Sequence, residues 1–155
     1  MLGVLKHPEP ILKNKCFPVA IVGDEEKDLL REMVKTMYLN RGVGLAAPQV
    51  GVNKQIAVVD IGNRNLLKLI NPVILEAQGT ETMEEGCLSI PAVYIRLKRA
   101  ERIKVKSLDE NGREIVMEAE GLTARAILHE VDHLKGRLII DYLDPIRRFI
   151  ALRKK

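Results

Sequence analysis

The sequence lacks the features that mark secreted and membrane-spanning proteins. It has only two cysteines, Cys16 and Cys87, and no apolar run approaches the roughly 20 residues needed to cross a bilayer. Lys6, Pro8 and Pro10 interrupt the N-terminal stretch, so it has no apolar signal-peptide core. We therefore expect a cytoplasmic protein with no membrane partner. In a reducing compartment, a cysteine is more often buried, metal-bound or catalytic than bridged.

The chain also lacks internal repeats, low-complexity linkers and visible domain boundaries. Its 155 residues, 46% hydrophobic and 30% charged, predict one globular domain spanning residues 1–155. The formal net charge is only +4, and much of the excess lies at the C-terminus. The terminal cations are Arg147, Arg148, Arg153, Lys154 and Lys155. Such a tail can contact an anionic partner such as RNA, or it can be the solvated face of a helix.

Hydrophobic spacing and capping residues predict three helices. The first runs from Asp24, as N-cap, to near Asn40. The second runs over about residues 122–135, with Gly136 as its C-terminal cap. The third begins at Asp144-Pro145, which has the chemistry of an N-cap followed by a first helical residue. The second helix is predicted to bury four residues: Leu122, Ala126, Val131 and Leu134.

Alternating and apolar segments predict strands between these helices. The predicted strands cover residues 56–59, 66–70, 73–75, 94–98, 103–107 and 113–120. Asn71-Pro72 is predicted to break the second of these from the third, and Asp109-Glu110-Asn111-Gly112 is predicted to turn a hairpin. The expected fold class is α+β, with antiparallel sheets packed around a central helix, plus an N-terminal helix and a C-terminal helix.

The strongest chemical signal is His129-Glu130-Val131-Asp132-His133, on the predicted central helix. Positions i and i+4 of a helix lie one turn apart on the same face, so two imidazoles there can bind one metal ion. Glu130 can then act as general base toward an attacking water. The chain has three histidines in all, and the third, His7, lies in an expected loop. The competing interpretation is a pair of ordinary histidines on an amphipathic helix.

An open catalytic metal site needs a third protein ligand. No histidine or glutamate follows His133, so the ligand sets of thermolysin-like and metzincin peptidases are absent. Asp141 and Asp144 are the downstream carboxylates, which leaves a small zinc endopeptidase as an alternative. Upstream, Cys87 follows Gly86 and offers a thiolate as the third ligand. Taken alone, this cysteine is more often a small buried hydrophobic residue, and the helix motif, which still needs a third ligand, favours the metal ligand.

Three segments resemble the signature motifs of the peptide deformylase family. They are Gly42-Val43-Gly44-Leu45-Ala46-Ala47-Pro48-Gln49, Glu85-Gly86-Cys87-Leu88-Ser89 and His129-Glu130-Val131-Asp132-His133. Their order and spacing match the family, and the likeness covers nearly the whole chain without a long insertion, as in the compact bacterial form. One position departs from the pattern, because Leu128 stands where the family usually has glutamine before the first histidine.

The resemblance implies a hydrolase that removes the N-formyl group from the formyl-methionine of newly made peptides and releases formate. It implies Cys87, His129 and His133 as metal ligands and Glu130 as general acid and base. The Gln49 side chain and the Leu88 amide would stabilise the oxyanion. The implied ion is Fe²⁺, with Zn²⁺, Ni²⁺ or Co²⁺ as substitutes, although sulfur and imidazole ligands alone favour zinc.

The resemblance also assigns residues to the substrate. Those expected to line, border or support the methionine pocket are Val43, Gly44, Glu85, Gly86, Leu122, Arg125 and Ala126. The implied partners are N-formylmethionyl nascent peptides and, through the basic C-terminal helix, the ribosome, without sequence-specific nucleic-acid recognition. Besides the zinc endopeptidase, a non-catalytic ribosome-associated module with a structural metal remains as an alternative, which would require a fourth protein ligand.

Overall fold

The structure is a computed structural model, and it describes residues 2–153. Over this range it contains three helices: α1 (Asp24–Leu39), α2 (Gly121–Leu134) and α3 (Pro145–Arg153). The strands are β1 (Gly44–Ala46), β2 (Ile56–Val59), β3 (Leu67–Gln78), β4 (Glu81–Cys87), β5 (Ile90–Arg99), β6 (Arg102–Leu108) and β7 (Glu114–Glu120). Lys154 and Lys155 of the predicted basic tail lie outside the described residues.

The strands form two antiparallel sheets. The larger sheet has the order β1-β2-β3-β6-β7, and β4 pairs with β5 as a separate hairpin. Helix α1 packs against β1 and β2, while α2 packs against β1, β2, β6 and β7. The predicted α+β class with antiparallel sheets is therefore confirmed. No helix within residues 2–153 combines the length and the hydropathy needed to cross a membrane.

The helix predictions hold to within a residue or two at their ends. Helix α1 begins one residue earlier than expected, because Gly23 is its N-cap and Asp24 is already helical. The Glu26 carboxylate accepts a hydrogen bond from the Gly23 N–H at 2.8 Å, which satisfies a free donor at this end. Asp144 caps α3 as predicted, since its carboxylate accepts from the Arg147 N–H at 2.8 Å.

Apolar faces of both long helices are buried against the larger sheet. Leu30, Met33 and Met37 of α1 recur at helical spacing and are nearly inaccessible to solvent. In α2, three of the four predicted core residues are buried: Ala126, Val131 and Leu134. The prediction for Leu122 is wrong, because this side chain is 44% exposed. It lies in the first turn of α2, at the border of a cleft.

The predicted break at Asn71-Pro72 is also wrong, because β3 continues through it. The register between β3 and β6 shifts between Ile70 and Val73, as in a β-bulge, and Asn71 adopts a φ of 52° there. The Asn71 side chain accepts from the Val19 N–H and donates to the Val19 carbonyl, both at 2.8 Å. A bulge tolerates the missing N–H of proline, so the strand does not end.

Two glycines with positive φ lie at the two ends of α2, and only one of them is tightly enclosed. Gly121 has a φ of 59° and Gly136 a φ of 76°. A Cβ at Gly136 would lie 2.4 Å from the Lys13 carbonyl oxygen, whereas a Cβ at Gly121 would meet no heavy atom within 4 Å. Gly136 therefore allows the N-terminal segment to pass directly over the end of α2.

We expect Gly136→Ala to destabilise the fold more than Gly121→Ala. Both variants place a side chain at positive φ, which costs about 1–2 kcal/mol. The Gly136 variant also forces two backbone segments apart, which adds about 1–3 kcal/mol. Urea denaturation of the two variants and the parent measures the difference. Equal losses of unfolding free energy would show that the contact at Lys13 relaxes freely.

Candidate active site

A cleft of about 500 Å³ lies between the β1 segment, the β4–β5 hairpin and α2. The three elements come from distant parts of the chain, and each contributes one of the sequence motifs. Gly42, Val43 and Gly44 line one wall, Cys87 lies at the end of β4, and α2 supplies the two histidines and Glu130. The fold therefore brings all three motifs to one place.

The three predicted ligands converge here. The ring centroids of His129 and His133 are 5.0 Å apart, as one helical turn dictates. Cys87 Sγ is 3.4 Å from His133 Nε2, and one ligand atom from each of the three residues lies within 4.8 Å of the others. Ligands bonded at about 2.0–2.3 Å around a tetrahedral ion are about 3.5 Å apart, so this donor set fits a divalent metal. It is the one group of this kind among residues 2–153.

Glu85 fixes the orientation of the first histidine. Its Oε1 is 3.0 Å from His129 Nδ1, which leaves Nε2 to face the ligand cluster. A carboxylate behind a ligating histidine is a recurrent arrangement in metal sites. Burial alone would raise the pKa of Glu85, but hydrogen bonds from His129 and Arg99 outweigh it and lower this pKa to about 2. Glu85 is therefore held as a carboxylate.

The two histidines experience opposite electrostatic effects. Burial opposes protonation of His129, yet the surrounding groups, led by the charge of Glu130, raise its pKa well above the usual value. Burial instead holds the pKa of His133 well below its usual value, so this imidazole is neutral. A ligating histidine must be neutral, so an ion bound at His129 would displace its added proton.

A buried ion network surrounds Glu85. Arg99 donates to Glu85 at 2.5 and 2.9 Å and to Asp132 at 2.9 Å, while Arg125 donates to Glu85 at 2.6 Å. Tyr142 donates its hydroxyl to the same Asp132 oxygen at 2.6 Å. Two guanidinium groups thus face two carboxylates, so no charge in the network is left unpaired. Such networks lose several kcal/mol, on the order of 3–5, when one partner is removed.

Sequence reasoning missed Arg99, Asp132 and Tyr142 as parts of this network. One signal was available for Arg99. Strand β5 buries alternate residues, and Arg99 occupies the inward series together with Val93, Ile95 and Leu97. A charged residue at an inward strand position requires a buried partner. Nothing in the local sequence identified that partner as the Glu85 carboxylate.

Glu130 is a buried acid in the lining of the cleft. Its side chain is 3% exposed, and within residues 2–153 its Oε1 contacts no donor. Burial raises the pKa of its carboxyl to about 7. Gly44 packs directly against it, since a Cβ there would lie 2.3 Å from Glu130 Oε2. The glycine motif therefore makes room for the acid of the helix motif.

This contact predicts a loss of activity from the addition of one methyl group. In Gly44→Ala the new Cβ must displace the Glu130 carboxylate, and a shift of about 1 Å can cost on the order of 10²-fold in rate. Gly3→Ala is the matched control, because a Cβ at Gly3 meets nothing within 4 Å. Hydrolysis rates on the substrate that the resemblance implies, and the content of bound metal, should be compared for both variants. Normal rates in Gly44→Ala would show that Glu130 is free to move.

Gln49 is buried and held at both ends of its amide. Its Oε1 accepts from the Ala46 N–H at 2.9 Å, and its Nε2 donates to Ser89 Oγ at 3.0 Å. The same nitrogen lies 3.8 Å from Cys87 Sγ, so the amide faces the ligand cluster. Leu88, next to Cys87 in the chain, also lines the cleft. Both expected oxyanion donors are therefore beside the expected metal position.

The expected substrate-binding residues divide into two groups. Val43 and Leu122 border the cleft with exposed apolar side chains, and Ala126 lies buried in its wall. The polar atoms of Glu85 and Arg125 instead face each other inside the protein, and Arg125 also donates to the carbonyls of Leu97 and Glu81. These two support the cleft wall rather than present a free polar group to it.

Two further positions are explained by their contacts. A Cβ at Gly86 would lie 2.9 Å from a Tyr94 ring carbon, so glycine lets this aromatic side chain lie over the strand end. Leu128, the departure from the family pattern, packs against the apolar cluster around Val59 and Ile127 and is not part of the cleft wall. A glutamine is therefore not needed at this position to complete the ligand cluster.

Fold and site together define a class: an α+β domain with a candidate Cys-His-His metal centre in an open cleft. Residues 1–149 match the family model described as Polypeptide deformylase. The peptide deformylase of Thermodesulfovibrio yellowstonii is 47% identical over 158 residues, which cover 99% of this chain and 96% of that protein. The chain belongs to the peptide deformylase family, whose members are metal-dependent hydrolases.

Solved structures agree with this assignment. A peptide deformylase from Legionella pneumophila superposes with a TM-score of 0.95 at 39% identity, covering 99% of this chain and 92% of that one. A peptide deformylase from Synechococcus elongatus, solved in complex with actinonin, gives a TM-score of 0.93 at 43% identity, covering 99% and 85% of the two chains. The predicted family and enzyme class are confirmed.

Proposed function

We propose that this chain hydrolyses the N-formyl group of formyl-methionyl nascent peptides, releasing formate, with a divalent ion held by Cys87, His129 and His133. The observation that carries the proposal is the convergence of the three ligand atoms within 4.8 Å, beside a buried and unpartnered Glu130. Family membership supports the reaction on formylated nascent peptides. The proposed ion is Fe²⁺, following the family resemblance, and Zn²⁺, Ni²⁺ or Co²⁺ can substitute.

When bound, such an ion supplies Lewis acidity that polarises the formyl oxygen and makes water easier to deprotonate. The Glu130 carboxylate takes the proton from the attacking water, since it is the unpaired acid beside the ligands. The same group then delivers that proton to the nitrogen of the leaving amine. Because Glu130 contributes no ligand, it is free to cycle between its two protonation states.

Gln49 and Leu88 stabilise the negative charge that develops on the formyl oxygen. The hydrogen bond between the Ala46 N–H and Gln49 Oε1 fixes the amide, so its Nε2 faces the ligand cluster. Together with the Leu88 amide it presents neutral donors in a largely buried site. Fixed donors of this kind need no reorganisation as charge develops, and one is worth about 10²–10³-fold in rate.

The peptide itself binds as an extended strand along the β1 edge. Strand β1 lies at the edge of the larger sheet and pairs with β2, so its other side can accept an added strand. The methionine side chain then lies among Val43, Leu122 and Ala126, which border the cleft. Glu85 and Arg125 hold the facing wall through their ion pair.

The endopeptidase alternative requires an aspartate ligand, and the two candidate aspartates are engaged elsewhere. Asp141 accepts from Lys13 Nζ at 2.5 Å and from the Leu138 N–H at 2.8 Å. Asp144 caps α3 through the Arg147 N–H. The module with a structural metal requires a fourth ligand, and the cluster within residues 2–153 offers three.

Release of formate by anaerobically purified protein tests the proposal. The protein is loaded with Fe²⁺ and given a formyl-methionyl peptide, the same peptide without the formyl group, and an internally cleavable peptide. We expect stoichiometric formate and a free amine from the first substrate and no reaction with the others. Cleavage of an internal peptide bond, or absence of formate, would overturn the assignment.

We further propose that α3 contacts the ribosome through its exposed cations. Arg147 and Arg153 face solvent, whereas Arg148 donates to the carbonyls of Ile140 and Leu143 and serves the fold. Leu152 packs against the cluster that contains the β5 core residues, so truncation would disturb the fold. Charge reversal is therefore the sharper test of the predicted contact.

We expect Arg147→Glu/Arg153→Glu to weaken ribosome binding while formate release from short peptides stays normal. Each lost phosphate contact lowers the slope of log K against log salt concentration by about one, so loss of both should lower it by about two. Arg31→Glu/Lys35→Glu is the matched control, because these cations also lie on the exposed face of a helix. Each of them, like Arg147, pairs with an acid three residues earlier. Co-sedimentation at several salt concentrations measures both. Equal binding by the two double variants would contradict the contact.

A further inference from the structure

Two cations stand at the mouth of the cleft. Arg41 and Lys6 both border the cleft, and the ion pairs among residues 2–153 include neither. Lys6 Nζ donates to the Leu88 carbonyl oxygen at 3.0 Å. Arg41 precedes Gly42, where an added Cβ would lie 2.8 Å from Leu88 Cδ1. Lys6 therefore contacts Leu88 directly, and Arg41 is the chain neighbour of a glycine that packs against Leu88, next to the candidate reaction centre.

The acids that line the cleft do not neutralise these cations. The β4–β5 hairpin contributes Glu84 and Tyr94 to the lining. Glu84 stands directly across the ladder from Arg96, which offsets its charge. Deeper in the wall, the carboxylates of the buried network already face two guanidinium groups. Arg41 and Lys6 consequently outnumber Glu84, the one exposed acid in the described cleft lining.

These cations are within reach of the residues that follow the formyl-methionine. Gly44 lies against Glu130 at the reaction centre, and Arg41 stands three residues before it, so at most about 11 Å of chain separates them. A peptide in extended conformation advances about 3.3 Å per residue. Its second and third side chains therefore pass close to Arg41, within the roughly 8 Å over which exposed charges act at physiological salt.

We propose that Arg41, assisted by Lys6, makes the cleft select formyl-methionyl peptides with a carboxylate side chain at the second or third residue. The inference rests on the proposed function, since it concerns the substrate of that same cleft. Both cations are solvent-accessible, so each contributes about 2- to 5-fold to kcat/KM. The contact lies away from the reacting atoms and acts equally on the bound substrate and the transition state, so the effect falls on KM.

The test compares formyl-methionyl tetrapeptides that differ only by Asp or Asn at the second, third or fourth residue. The measured quantity is the ratio of kcat/KM for the Asp peptide to that for the Asn peptide. In the parent protein this ratio should exceed one at the second or third residue, decline at the fourth, and fall with added salt. A ratio near one at both early positions would overturn the inference.

Two variants of Arg41 separate the effect of charge from that of shape, because Asn and Asp have nearly the same shape and differ in charge. Arg41 has a φ of 56°, which Asn and Asp both tolerate. We expect Arg41→Asn to lower the ratio by about 2- to 5-fold and Arg41→Asp to bring it below one. Arg64→Asn and Arg64→Asp are the controls, because Arg64 is exposed, has a φ of 60° and lies outside the cleft wall.

The outcomes distinguish a failure of the proposed role of Arg41 from a failure of the proposed deformylase function. An unchanged ratio in Arg41→Asp, or an equal change in the Arg64 variants, overturns the role of Arg41 while deformylation stands. Turnover of no formylated peptide by the parent protein overturns the proposed function and this inference with it. A ratio that follows the charge at position 41 alone supports the inference.

Discussion

Glu130→Gln should leave a folded, metal-bound protein with turnover reduced on the order of 10²–10⁴-fold, the usual cost of a lost general base. The amide has the shape of the carboxylate but cannot accept a proton from water. Glu130 is buried with no partner for Oε1 among residues 2–153, so replacing its charge with a neutral amide removes a desolvation cost. We therefore expect the Tm of the variant to equal or exceed that of the parent.

The measurements for Glu130→Gln are kcat on a formyl-methionyl peptide, metal content by elemental analysis and thermal denaturation. Glu118→Gln supplies the control, because it makes the same chemical change on the exposed face of β7. Near-normal turnover by the Glu130 variant would show that another group moves the proton. Loss of both metal and fold would instead show that Glu130 has a structural role.

The helices and their chemistry could be predicted from the sequence because both depend on local spacing. The i, i+4 separation of His129 and His133 fixes their geometry once a helix forms, and the apolar stripe around them ensures that it does. Asp144-Pro145 likewise carries its own capping chemistry. Such features need no knowledge of distant parts of the chain.

Strand β4 and the residues it positions could not be predicted in the same way. It buries one acid, Glu85, within an otherwise exposed or half-buried run, so no apolar alternation marks it as a strand. The partners of Glu85 are Arg99, Arg125 and His129, which lie 14 to 44 residues away. These contacts arise from tertiary packing, and only the resemblance to a family placed Glu85 near the site.

The two wrong local predictions have the same origin. Leu122 has the spacing of a core residue, but the first turn of α2 borders the cleft. Asn71-Pro72 has the composition of a turn, but the side chain of Asn71 finds backbone partners at Val19, more than fifty residues earlier in the chain. In both cases a distant segment decided the outcome over local propensity.

Cys87→Ala should release the metal, which is the second large effect we expect. Three protein ligands are the minimum for an open site of this kind, and the sulfur lies 3.4 Å from His133 Nε2. The loss of affinity should exceed the 10- to 100-fold that is typical when a group behind a ligand is removed. His129→Ala and His133→Ala should behave alike, since each removes one of the same three ligands.

The second cysteine makes this prediction specific. Cys16 is 3% exposed and burial raises its pKa to about 11, whereas Cys87 is partly exposed at the cleft. Cys16→Ala leaves a small cavity and should cost about 1 kcal/mol of unfolding free energy while the protein keeps its metal. Cys87→Ala should lose the metal, with a smaller loss of metal-free stability because its side chain is less enclosed. Metal content should thus fall in Cys87→Ala, whereas metal-free stability should fall more in Cys16→Ala. Full metal retention in Cys87→Ala would show that the thiolate is not a ligand, whatever the activity of that variant.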